Sequence, residues 1–193
     1  YGKALSSSMS LYAYFFCNDK NLLGHWNGYP LRFFYRHFDI LSGIVTDSHA
    51  LADELRDRHL APADQAHKIA TLETPVGIAA SPAPTPAPLA GRRAQIFWAG
   101  RFDRQKRIDI VYALAAQLPE IDFRLWGEAV LDQKTNCDQP TPGNIKFEGV
   151  YANVDDLPFA ECDLWLYTSE WDGVPNMLIE IAARAVPIVG SLS

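Results

Sequence analysis

The stretch Ser169 to Ser193, SEWDGVPNMLIEIAARAVPIVGSLS, decides the fold of this chain. Two carboxylates, Asp172 and Glu180, stand in it with seven residues between them. A Gly-Val-Pro-Asn turn, Gly173 to Asn176, fills part of that interval. An apolar helix (IEIAARA) and a short strand from Pro187 to Val189 follow. Upstream, Trp165 to Thr168 (WLYT), with its apolar approach from Cys162 to Leu164, reads as a buried parallel strand. Asn176 is placed to cap the helix, whose first N–H groups then lack internal acceptors. Such an end carries partial positive charge and suits a phosphate or a sugar hydroxyl. Gly173 permits close approach of a ligand to the backbone. Asp172 precedes the helix and Glu180 lies about one turn inside it, so both belong near the strand's C-terminal edge, where open α/β sheets bind ligands. Two acceptor-only carboxylates match two sets of hydroxyls. A capped core helix with two surface acids fits these residues equally well.

The weight shifts with a second segment. Gln95 to Arg101 (QIFWAGR) is a strand ending in Gly-Arg, and Lys106 follows in GRFDRQKRID. A helix comes next, with Ile108, Val111, Leu114, Ala115 and Leu118 at helical spacing. An Arg fork and a Lys point charge beside a strand–loop–helix junction can clamp a diphosphate. Taken alone, such cations are usually solvated; Asp172 and Glu180 later in the chain give the pair meaning. Between them, Ile121 to Trp126 is a strand running into Gly127-Glu128, Asn144 to Gly149 is another, and Leu157 to Cys162 is a short helical segment. This alternation predicts a doubly wound α/β domain.

The order GRFDRQK, helix, FRLWGE, IKFEGV, SEWDGVPNMLIEIAARAVPIVGS resembles the nucleotide-sugar-binding domain of family 4 (group 1) retaining glycosyltransferases. Their fold, GT-B, sets two Rossmann-like domains across a cleft. The resemblance covers Gln95 to Ser193 and extends more weakly into DILSGIVTDSHALADELRDRHL and HKIATLETPVGI, which look like the end of the acceptor domain. It implies that Arg101 and Lys106 bind the donor diphosphate, that Glu180 hydrogen-bonds the ribose, and that Asp172 contacts the transferred sugar. It also implies that the Gly173, Val174, Pro175 and Asn176 backbone meets the sugar and phosphates, and that Glu148, Gly149 and Val150 lie in the base-binding loop. Asp172 stands where the family's E-x7-E motif has Glu, which bears on sugar identity. Arg107 stands where the family often has Gly, and the favoured reading of its side chain is a solvated one. The implied donor is a UDP- or GDP-sugar, and the implied acceptor a glycan or a lipid-linked hydroxyl. No cofactor and no divalent metal are expected, since cations and amides serve the diphosphate and no Asp-x-Asp motif occurs.

The implied domains are 1–78 for the acceptor side, 79–93 for a linker and 94–193 for the donor side, with both domains incomplete and more chain on either side. Ala79 to Ala90 (AASPAPTPAPLA) carries Pro at every second position from Pro82 to Pro88, which excludes helix and central strand. In the first part, Leu11 to Cys17 and Ser42 to Thr46 read as strands, Leu31 to Phe38 as an aromatic-rich helix, and Ser48 as the cap of a helix through about Arg58. The five histidines all lie there; His49 reads as a helix-start surface residue and none receives a role.

With 193 residues, 48% hydrophobic and 21% charged, the composition is that of a globular protein. A net charge of −6 gives no nucleic-acid footprint. Cys17, Cys137 and Cys162 are odd in number and lack metal spacing; Cys17 and Cys162, in apolar strand-like segments, read as buried thiols, which favours a reducing cytoplasm. The apolar run Leu11 to Cys17 is too short to span a membrane, and peripheral contact at its inner face through other regions stays open. A nucleotide-sugar-binding scaffold and another GT-B enzyme, such as a sugar epimerase, are the competing readings. A dinucleotide oxidoreductase is disfavoured because no G-x-G-x-x-G follows a strand.

Overall fold

A computed structural model describes residues 9–15, 36–57, 62–73, 75, 90–129 and 140–191. Cys17, Cys137, most of the Pro-rich run and most of the aromatic-rich segment lie outside them. The chain divides into two compact units: Tyr1–Pro75 with Trp171–Val174, and Val76–Glu170 with Pro175–Ser193.

The first unit holds a parallel sheet in the order β1 (Tyr12–Phe15), β2 (Gly43–Thr46), β3 (Ile69–Thr71). Its helix, α1 (His49–Asp57), starts as the sequence indicates: Ser48 Oγ accepts the Leu51 N–H at 3.3 Å, and exposed His49 is its first residue. Leu51, Ala52 and Leu55 at helical spacing pack on Ile44 and Ile69.

The second unit is a five-stranded parallel sheet in the order β6 (Ile145–Gly149), β5 (Asp122–Trp126), β4 (Gln95–Ala99), β7 (Leu164–Tyr167), β8 (Ile188–Gly190). The central strands β4 and β7 bury apolar side chains on both faces, while the edge strands β6 and β8 are largely exposed. Ile96, Trp98, Phe123, Leu125 and Leu166 meet Ile108, Val111 and Ala115 of α2 (Ile108–Gln117). Their neighbours Phe97, Trp126 and Trp165 point the other way and meet Ile181 of α3 (Asn176–Ala183). Each such fully buried side chain contributes about 1.5–3 kcal/mol. Cys162 lies in this second layer, where burial pushes its thiol pKa up to about 12.

Two details of the helix ends differ from the sequence reading. Pro175, extended at φ −74°, is the residue that precedes α3, and Asn176 is its first helical residue with no side-chain cap bond. A Pro fixes φ and lacks an N–H, so it enters the helix at no hydrogen-bond cost. Arg107 begins α2 in the left-handed region, φ 50°, which accounts for the family's Gly there. Its guanidinium is not merely solvated: it grips Asp109 with Nε and Nη2, both at 2.9 Å. That pairing, against the opposing effect of burial, holds the Asp109 carboxyl below its ordinary range.

The far end of α3 closes by a Schellman pattern. The Ala185 N–H donates to Ala182 C=O at 2.9 Å and the Val186 N–H to Ile181 C=O at 3.4 Å, with Ile181 and Val186 in one apolar cluster. The motif forces Ala185 to φ 57°. A left-handed Cβ costs roughly 1–2 kcal/mol, and Gly returns less than about 1 kcal/mol of that as unfolded-chain entropy. Ala185→Gly therefore stabilises the protein by roughly 0.5–1 kcal/mol, read as a higher urea midpoint at unchanged slope. A lower midpoint would refute the strain.

Among the described residues, no helix is long and apolar enough to cross a membrane.

Candidate functional site

The strand order of the second unit places its switch point between β4 and β7, and the loops that leave these strands form the upper edge of the sheet. They are latched together. Trp98 Nε1 donates to Thr168 Oγ1 at 2.9 Å, and that hydroxyl donates to the Lys106 C=O at 2.6 Å. The Glu170 N–H donates to the Gln105 C=O at 2.8 Å. On the other side, Phe102 N–H meets Glu128 C=O at 2.9 Å and Gly127 N–H meets Gly149 C=O at 2.9 Å. The loop carrying the two cations is thus pinned at both flanks.

A recess of about 410 Å³ opens along this edge. Ala99, Gly100 and Gly127 line it from the strand ends, and Arg101, Lys106 and Glu128 bring charge. Val150, Tyr151 and Met177 supply an apolar side. Arg101 is held at Nε by Asp103 (3.1 Å) and at Nη2 by Gln105 Oε1 (2.9 Å). Lys106 Nζ lies 5.9 Å from the centroid of the Tyr167 ring. Burial first, and the charge of Glu180 second, raise the Tyr151 pKa above its ordinary value, so its hydroxyl stays a neutral donor. A lining that combines cations with apolar and aromatic residues suits an anionic ligand with a flat apolar part.

The floor depends on Gly127. Its φ is 137°, and a Cβ there would sit 1.9 Å from the Gly100 carbonyl oxygen.

Of the residues singled out in the sequence, Arg101, Lys106 and Val150 line the recess. Glu180, half-buried on α3, is near enough to act on Tyr151, and Met177 brings the start of the same helix to the rim. Asn176 and Met177, as the first two residues of α3, have no acceptor within the helix for their N–H groups. Asp172, Gly173 and Val174 group with the first unit. There the Val174 N–H, which the resemblance gave to the ligand, donates to Asp47 Oδ2 at 3.3 Å. Asp47 is buried, and its Oδ1 has no hydrogen-bond partner among the described residues.

Glu148, given to the base-binding loop by the resemblance, is not among the residues that line the recess. The pairing of β5 with β6 slips between Leu125 and Trp126, so Glu148 is a bulge residue. Its carboxylate takes Arg124 Nε at 2.5 Å and Lys146 Nζ at 2.9 Å, and it is absent from the recess lining, as is Gly149. Burial pushes the Glu148 pKa up, but Lys146 and Arg124 more than offset this and hold it below its ordinary range. Gly127, Glu128, Tyr151 and Met177 escaped the sequence reading. The Gly-Glu step after FRLW was the only signal, and it read as a strand end.

A larger hollow of about 560 Å³ lies at the opposite edge, where β4, β5 and β6 begin. Its cations have acid partners: Arg92 with Asp163 (2.6 Å), Arg93 with Asp122 (2.8 Å), and Arg124 with Glu161 and Glu148 (both 2.5 Å). It lies away from the strand ends where such sheets bind ligands.

No protein-family model and no curated protein matches the chain. Solved structures do. A TarM mutant from S. aureus, in complex with Fondaparinux, alpha-GlcNAc-glycerol and UDP, superposes with a TM-score of 0.73 at 15% identity, over 94% of this chain and 36% of that one. The pneumococcal O-GlcNAc transferase GtfA, in complex with UDP and GlcNAc, gives 0.64 at 18%, over 98% and 39%. The lipopolysaccharide outer core galactosyltransferase WaaB gives 0.63 at 17%, over 98% and 58%. The chain spans less than two thirds of each. The likeness shows the fold: α/β of the GT-B type, with parallel sheets in both units.

Proposed function

We propose that this chain carries the donor-binding part of a retaining glycosyltransferase of family 4 type, which moves a hexose from a UDP- or GDP-sugar to a hydroxyl of a glycan or lipid-linked acceptor. The observation that carries the reading is the recess whose lining joins Arg101 and Lys106 with Val150, Tyr151 and Met177 at the strand ends, Glu128 beside them. Its volume, about 410 Å³, falls in the range of small-molecule sites. The cations suit a diphosphate and the apolar residues a base, and Glu180, which the resemblance gives to the ribose, lies near enough to act on Tyr151. TarM and GtfA, of the same fold, were solved with UDP bound.

In this reading Arg101 and Lys106 stabilise the charge that develops on the diphosphate as the bond to the sugar breaks, with the N–H groups at the start of α3 assisting. The gain comes from donors fixed before the reaction rather than recruited during it. Asp172 and Glu180 position the sugar and the ribose. Retention of the anomeric configuration, the hexose and the acceptor class rest on the Asp172–Glu180 motif and its resemblance.

The test is calorimetric titration of the chain with UDP, GDP and ADP without added metal, beside Arg101→Ala and Glu180→Ala. Binding of one nucleotide at micromolar affinity, weakened in both variants, is the expected result. Folded protein that binds none of the three would sink the donor site. Hexose transfer that disappears in Glu180→Gln separates an enzyme from a nucleotide-sugar-binding scaffold.

A further inference from the structure

Residues 101–107, RFDRQKR, hold four cations and a single acid, Asp103. That acid is buried, at 7% exposure, although it sits in an irregular loop at the sheet edge. Burying a carboxylate is costly unless its oxygens are compensated, and here both are. Oδ1 accepts the Lys106 N–H at 3.0 Å. Oδ2, itself out of solvent, makes no aligned hydrogen bond but lies 3.1 Å from Nε of Arg101. The Asp103 N–H returns to the Arg101 C=O at 2.9 Å, which tightens the turn. Lys106 is therefore fixed at both ends of its backbone: its N–H by Asp103, its C=O by the Thr168 hydroxyl.

We propose that Asp103 is the positioning residue of the diphosphate clamp, setting Arg101 through its guanidinium and Lys106 through its main chain. The inference rests on the donor-site reading above. A loop has no ladder to hold two long cationic side chains in register, and each carries considerable rotamer entropy that a ligand must otherwise remove. One buried carboxylate bound to both removes it in advance, and it partly neutralises two like charges while no ligand is present. Asp103 is not among the residues that line the recess.

The experiment compares wild type, Asp103→Ala and Asp103→Asn by calorimetry, against a nucleoside diphosphate and the matching nucleoside. Asp103→Ala weakens the diphosphate roughly 10- to 50-fold and leaves the nucleoside within about twofold. Asp103→Asn keeps one acceptor oxygen, for the Lys106 N–H, but turns an NH2 donor toward Arg101 Nε, and so recovers only part of the affinity. Unchanged diphosphate affinity in Asp103→Ala overturns the proposal, as does a parallel loss of diphosphate and nucleoside, which marks a general structural role. A wild-type chain that binds no nucleotide instead overturns the donor-site reading, and this proposal with it. A circular dichroism spectrum and urea midpoint for each variant separate misfolding from loss of the clamp.

Discussion

Lys106→Ala lowers the affinity of the chain for a nucleoside diphosphate by roughly 10- to 150-fold, the equivalent of one charged hydrogen-bonding group at about 1.5–3 kcal/mol. Two contacts that shape this loop use Lys106's main chain: its N–H to Asp103 and its C=O to Thr168. Truncating the side chain leaves both in place. The effect should shrink as salt rises, since a recess open at the sheet edge is screened by mobile ions. Lys106→Arg restores part of the affinity but not all, because a planar fork replaces a compact point charge. Calorimetry at two ionic strengths reads all of this. Equal affinity in wild type and Lys106→Ala would mean that the anion, if it binds, binds elsewhere.

Among the described glycines of the second unit, Gly127 tolerates an added methyl least. The added Cβ falls 1.9 Å from the Gly100 carbonyl oxygen, and the backbone stands at φ 137°, a region that a side chain strains. The atom in the way is main chain at the end of β4, so it cannot swing aside as a side chain does. Relief requires separating the ends of β4 and β5, which breaks the Gly100 N–H bond to Trp126 and the Phe102 bond to Glu128. A loss of at least about 3 kcal/mol follows, beyond the common range for a point change and a large part of a typical domain's stability. Urea unfolding shows it as an early transition, and any folded fraction binds nucleotide weakly. Gly149 is the internal control: its φ of 87° is also strained for Ala, but a Cβ there meets nothing within 4 Å. Gly149→Ala should cost only the backbone strain, roughly 1–2 kcal/mol. Equal costs at the two positions would refute the steric account.

Most of the second unit could be read in advance, and the reason is local. The residues of IFW in β4 and LWL in β7 send successive side chains to opposite faces, and both faces are apolar, which suits a sheet covered by helices on both sides. Ile108, Val111 and Ala115 repeat at the helical period. The pairing of Arg101 with Lys106 was equally visible, since both lie in one short loop after one strand. What failed to show were choices made by other parts of the chain. Pro175 rather than Asn176 precedes α3 because adjacent residues offer similar start signals and packing selects between them. Glu148 turns to Arg124 because a bulge displaces β6 against β5, and register exists only when two strands meet.

The sequence by itself determined the elements, their alternation and the chemistry available at the strand ends, because these depend on spacings of two, three and four residues within one segment. Only the tertiary structure decided which of those groups share a recess. Arg101, Gly127, Tyr151 and Met177 come from four separate segments, and parallel pairing in the order β6-β5-β4-β7-β8 aligns all of the strand ends on one edge. The same assembly buries Asp103 and spends the carboxylate of Glu148 on Arg124 and Lys146. Burial and ion pairing at these positions depend on distances through space, and the distance between residues far apart in the chain is fixed only when the sheet closes.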